Sequence, residues 1–102
     1  MSLESNLQTK IIAYLKSQGA VVDNIHGSEY QASVSDLLIC YRGRYIALEA
    51  KGPDGSIRPG QRRRLRKVQK AGGIGEVVYG LEKVKEILRS INEGQEWHNT
   101  TY

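Results

Sequence analysis

Leu3, Leu7, Ile11 and Leu15 recur every four residues and Gly19 follows them, so the pattern predicts a helix over about Leu3–Gln18. Ser2 suits its N-cap and Glu4 its dipole-favoured first turn. Ala20-Val21-Val22 reads as a short strand, and the polar, glycine-containing stretch from Asn24 to Ser33 as a loop. Two apolar runs, about Ser35–Tyr41 and Arg44–Lys51, flank Gly43 and predict a hairpin. Gly52-Pro53-Asp54-Gly55 breaks the chain, and Pro59 opens a second helix to about Ala71 with Leu65 and Val68 inward. Gly72-Gly73-Ile74-Gly75 reads as a helix stop and a turn, Glu76–Tyr79 as a strand, and Leu81–Ile91 as a third helix. The polar remainder contains Trp97 and Tyr102, which either cover a neighbour or fray. Helix, strand, hairpin, helix, strand, helix is an α/β order, a mixed sheet covered by helices, with the second helix as the crossover to a parallel last strand.

The hairpin carries charge where its apolar runs suggest burial on both faces: Asp36 on the first strand, Glu49 and Lys51 on the second. A two-residue loop at Arg42-Gly43 puts Asp36 opposite Glu49. A loop at Gly43-Arg44 instead puts Asp36 opposite Lys51 and Leu38 opposite Glu49. Either register leaves the three charged side chains on one face, because direct partners share a face and so do residues i and i+2. Two close carboxylates repel. Lys51 offsets part of that cost, and a hard divalent cation with oxygen ligands does so more completely. The alternative is an ordinary ion-pair cluster where strands emerge into solvent.

At 102 residues the chain suits one domain. Its apolar stretches are too short to span a bilayer and its N-terminus lacks a signal-peptide plan, which points to a protein used inside the cell. Cys40, the single cysteine, sits among Leu37, Leu38 and Ile39 and reads as a buried hydrophobe with no catalytic role. The net charge of +4 is concentrated in Arg58, Arg62, Arg63, Arg64, Arg66, Lys67 and Lys70, with no acidic residue among them. Such a block suits a polyanion, nucleic acid above all, or else forms a solvated helix face. A carboxylate cluster beside a basic helix is what metal-assisted phosphodiester hydrolysis requires.

Asp, then Glu-x-Lys on the next strand, then a helix resembles the PD-(D/E)xK nuclease superfamily. More narrowly, Ser35-Asp36-Leu37-Leu38, the Gly43 turn, Ala47-Leu48-Glu49-Ala50-Lys51, Gly55, Pro59 and Gln61 resemble the VRR-NUC domain, particularly its short stand-alone phage and bacterial members. The resemblance implies a restriction-endonuclease-like αβββαβ core over residues 1–92, followed by a polar tail over 93–102. It also implies a DNA endonuclease dependent on Mg²⁺ or Mn²⁺, selective for branched DNA such as Holliday junctions, homodimeric, and working in the cytoplasm of a bacterial or phage-infected cell. Asp36, Glu49 and the Ala50 carbonyl would hold the metal, and Lys51 would orient or activate the attacking water. Glu4 would support the site through water, or simply serve its helix dipole. Gln61 would contact the site or the phosphate, or turn back to cap its own helix. His26 and Tyr30, in the loop bordering the site, are candidate DNA contacts beside the basic helix. Two positions depart from the family pattern: Ser35 stands where a Pro is usual, and Arg58 where Ser or Thr commonly precedes the Pro. The competing expectations are a non-catalytic nucleic-acid-binding module on the same scaffold, and a dimerisation or inhibitor domain whose basic run serves an acidic protein.

Overall fold

A computed structural model describes residues 3–25 and 37–102, apart from the Glu4 side chain. The described elements are α1 (Leu3–Ser17), β1 (Val21–Asn24), β2 (Leu37–Tyr41), β3 (Arg44–Ala50), α2 (Pro59–Lys70), β4 (Ile74–Val78) and α3 (Leu81–Asn92). The strands form one sheet in the order β1-β2-β3-β4. The first two pairings are antiparallel and β3–β4 is parallel. The expected mixed α/β architecture is therefore present. None of the described helices is long and apolar enough to cross a membrane.

The hairpin turn settles the register. Arg42 (φ 48°) and Gly43 (φ 80°) both take positive φ, as the central residues of a two-residue hairpin turn of matching twist do. Pairing then runs from Tyr41↔Arg44 to Leu37↔Leu48, the register of the Arg42-Gly43 loop.

Alternation along β3 divides the core. Ile46, Leu48 and Ala50 face the larger cluster with Ile11 and Leu15 of α1 and Val84, Ile87 and Leu88 of α3. Ala47 faces the other way, joining Leu65 and Val68 of α2 and Val77 of β4. Each fully buried Leu or Ile contributes roughly 1.5–3 kcal/mol, so most apolar stabilisation lies on the α1/α3 side. The α2 side is left to carry polar groups.

Three expectations needed correction. Leu3 belongs to the α1 repeat but is 68% exposed, so the seam that packs is formed by Leu7, Ile11 and Leu15. Cys40 is exposed, not buried. It pairs with Val21 on one side and Tyr45 on the other, both also exposed, and α2, the helix described on this face, contacts β3 and β4. Ile74-Gly75 is strand rather than turn. A Cβ on Gly75 would lie 2.8 Å from the Leu65 carbonyl oxygen, so glycine there marks the close approach of α2 to β4.

The outer edge of β4 is closed by side chains. Gly75 N–H donates to Asn99 Oδ1 (3.1 Å), while Gln69 Nε2 donates to the Gly75 carbonyl (2.8 Å). Val77 N–H donates to the Tyr102 hydroxyl (2.9 Å), and Lys83 Nζ to the Val77 carbonyl (3.2 Å). Unpaired edge groups invite pairing with another chain, and here they are occupied. Glu76, fully buried in the same strand, anchors the arrangement. It accepts from Trp97 Nε1 (2.9 Å), Thr100 N–H (2.7 Å) and the Tyr102 hydroxyl (2.9 Å), and lies 2.7 Å from Lys83 Nζ. Burial alone would raise the Glu76 carboxyl, but Lys83 and the donors from Thr100 and Trp97 outweigh it and hold the group below its ordinary 4.5. Burial likewise opposes the Lys83 charge, and the Glu76 carboxylate more than offsets it, raising Lys83 above 10.5. Trp97 and Tyr102 thus cover a neighbour.

Candidate active site

Glu49 and Lys51 stand at the C-terminal end of β3 and just beyond it, two residues apart and so on one face, the face covered by α2. Glu49 is 0% exposed and Lys51 is also buried. A buried carboxylate is expensive unless compensated. Lys51 Nζ lies 3.8 Å from Glu49 Oε1, and Gln61 Nε2 donates to the same oxygen at 2.8 Å.

Gln61 reaches Glu49 because of how α2 starts. Pro59 supplies the helical φ at the first position, and Arg58, the N-cap, has no side-chain acceptor to give the helix. Gln61 fills that gap: its Oε1 accepts the Arg58 backbone N–H at 2.8 Å while its Nε2 serves Glu49. Gln61 therefore caps its own helix and hydrogen-bonds Glu49 at the same time. The first turn of α2 contains no acidic residue, so its positive dipole end is left for the Glu49 carboxylate and for anions.

The segment between β3 and α2 is folded tightly over Lys51. Gly55 N–H donates to the Gly52 carbonyl (2.9 Å), Lys51 N–H to the Val78 carbonyl (3.0 Å), and the Tyr79 hydroxyl to the Gly55 carbonyl (3.2 Å). A Cβ on Gly55 would sit 3.1 Å from Lys51 Cβ, which accounts for glycine at this position.

The basic residues of α2 do not act as one group. Arg58 and Arg62 flank Gln61 at the site end and are exposed, as are Arg63, Lys67 and Lys70. Arg66 is exposed too, and its Nε donates to the Tyr102 carbonyl. Arg64 is half-buried, with Nη2 donating to the Tyr45 hydroxyl at 3.2 Å. Asp36, His26 and Tyr30 lie outside the described residues; Glu4 lies on α1 with its side chain outside them too. Among the described residues no group of three or more His, Cys, Asp or Glu forms a metal cluster. Ala50 is the last residue of β3, between Glu49 and Lys51. Sequence reasoning passed over Glu76 and Tyr79; a lone acid within Ile74–Val78 and an aromatic just past it were the available signals.

A solved structure described as a VRR_NUC domain matches this architecture with a TM-score of 0.73, over 87% of this chain and 97% of that one, at 22% identity. The fold is that of a VRR-NUC domain. The likeness rests on three-dimensional structure: no family model and no curated protein matches the sequence. Within this scaffold Glu49 and Ala50 close β3, Lys51 follows, and Gln61 in the first turn of the arginine-rich helix reaches Glu49.

Proposed function

We propose that the protein is a divalent-metal-dependent endodeoxyribonuclease selective for branched DNA such as Holliday junctions. One observation carries the reading: a fully buried carboxylate, gripped by Gln61 with Lys51 beside it, at the N-terminal end of an arginine-rich helix on a nuclease-type fold. The proposed unit is one nuclease domain over residues 1–92 with the tail 93–102, acting as a homodimer in the cytoplasm of a bacterial or phage-infected cell.

The donors suit Mg²⁺ or Mn²⁺. The Glu49 carboxylate and the Ala50 carbonyl are hard oxygen ligands, and Asp36 would add a second carboxylate. Asp36 directly precedes Leu37, whose ladder partner Leu48 directly precedes Glu49. Glu4 would contribute through water. When bound, such a cation would supply charge for the phosphate oxygens and make an attacking water more acidic. Lys51 orients that water and balances the Glu49 charge. Gln61 fixes the carboxylate rotamer, while Arg58 and Arg62 hold the phosphate backbone, assisted along the strand by Arg63, Arg64, Arg66, Lys67 and Lys70. His26 and Tyr30 belong to the same proposed DNA surface.

The test is cleavage of a synthetic four-way junction compared with its linear duplex arms, in Mg²⁺ or Mn²⁺ and in EDTA. Metal-dependent cutting that favours the junction is expected, with none in EDTA. Salt-sensitive DNA binding without cleavage under any metal would replace this reading with the non-catalytic binding module. Gln61→Ala should lower the cleavage rate by about 10- to 100-fold, the range for residues that orient metal ligands, and Arg63→Ala far less. Equal rates for the two variants would remove Gln61 from the site.

A further inference from the structure

A cleft of about 380 Å³ opens beside the Glu49 site, lined by residues including Ile57, Arg62, Val77, Tyr79, Lys83 and Tyr102. Its position follows from the sheet. Val77 is the direct ladder partner of Glu49, one strand spacing away (~5 Å), and direct partners share a face. Arg62 follows Gln61 on α2. The cleft therefore adjoins the carboxylate laterally.

Its chemistry is two-part. Ile57 and Val77 supply apolar surface, and two phenol rings border it. Tyr79 is 55% exposed for so large a side chain, yet its hydroxyl is anchored on the Gly55 carbonyl, so the ring is held in place rather than left loose. Tyr102 is fixed by Glu76 and Val77. Lys83 is committed to Glu76, the Val77 carbonyl and Thr100, which leaves the exposed Arg62 as the cation for a phosphate. An aromatic ring, an apolar floor and an arginine on the rim match a nucleobase with its phosphate. A base inside a duplex stack cannot enter such a recess, whereas an unpaired one can.

We propose that this cleft receives an unpaired nucleotide of the DNA strand next to the cut, stacked on Tyr79 with its phosphate on Arg62. The proposal rests on the nuclease reading, and it gives branched DNA a physical basis: unpaired or splayed nucleotides occur at branch points and not along a duplex.

The test measures binding alone. Fluorescence anisotropy in EDTA would compare a duplex bearing a short single-stranded extension with the same duplex blunt-ended. Tyr79→Ala should weaken binding of the extended duplex about tenfold, the scale of one lost base stack, and blunt-duplex binding by less than about twofold. Tyr79→Phe, which keeps the ring and loses the Gly55 bond, should bind like the parent. Equal losses on both DNAs, or Tyr79→Phe as weak as Tyr79→Ala, would overturn the cleft assignment and leave the nuclease reading standing. Parent protein that binds the extended duplex no better than the blunt one would overturn the cleft assignment alone.

Discussion

Glu49→Gln is expected to cut metal-dependent junction cleavage by roughly a hundredfold or more, the loss that follows when the cation that would stabilise transition-state charge is no longer held. The substitution is chosen for what it preserves. A glutamine at position 49 keeps the shape of the side chain and an oxygen that can still accept from Gln61 Nε2, now at 2.8 Å, so the start of α2 need not move. What disappears is the negative charge that a hard cation requires and that Lys51 faces at 3.8 Å. The substitution also takes the Glu49 counter-charge from the buried Lys51, so some loss of unfolding stability is expected, and the urea midpoint measures it. Three readouts separate the possibilities: cleavage rate, Mn²⁺ titration with DNA bound, and the urea midpoint. Cleavage within a few-fold of the parent, with the fold intact, would remove Glu49 from the chemistry.

The largest effect on stability should come from Glu76→Ala, about 3–5 kcal/mol, the usual consequence of removing one member of a buried ion pair. The carboxylate receives the Trp97 indole, the Thr100 amide and the Tyr102 hydroxyl as well as Lys83, and each would lose its acceptor at once. Trp97 fluorescence and urea unfolding would follow the loss. The same pair makes stability pH-dependent in a defined direction. Glu76 is held below 4.5 in the folded state, so its contribution is complete above that value and declines as pH falls through the folded pKa. Lys83 is raised above 10.5, so its contribution is complete below that value and declines as pH rises through the folded pKa. The parent should therefore lose stability at both extremes, and Glu76→Ala should show a shallower acid limb. A parental acid limb no steeper than that of the variant would contradict the assignment.

Much of this arrangement was legible before any coordinates. The polar face of the hairpin survives either turn placement, because moving the loop from Arg42-Gly43 to Gly43-Arg44 shifts partners by two and keeps the side of the sheet. That is why Glu49 and Lys51 could be grouped while the register stayed open. Burial was less legible. The run around Cys40 is apolar, but whether a face is covered depends on where α2 lands, and α2 lies over β3 and β4. Gly75 looked like a turn residue because local propensity cannot register a helix backbone pressed against it. Glu76 went unread for a related reason: its partners Trp97 and Tyr102 lie more than twenty residues onward in a segment without periodicity. The double role of Gln61 needed the actual distances.

That double role has a further consequence. One amide group ties the first peptide of a helix to the Glu49 carboxylate, so the two cannot be tuned separately. Any insertion or deletion within the stretch joining Lys51 to Pro59 that rotates the helix entry would drag the carboxylate out of line even if every ligand were retained. Loop grafts between relatives of this fold should then succeed only when the glutamine and the peptide it grips travel together.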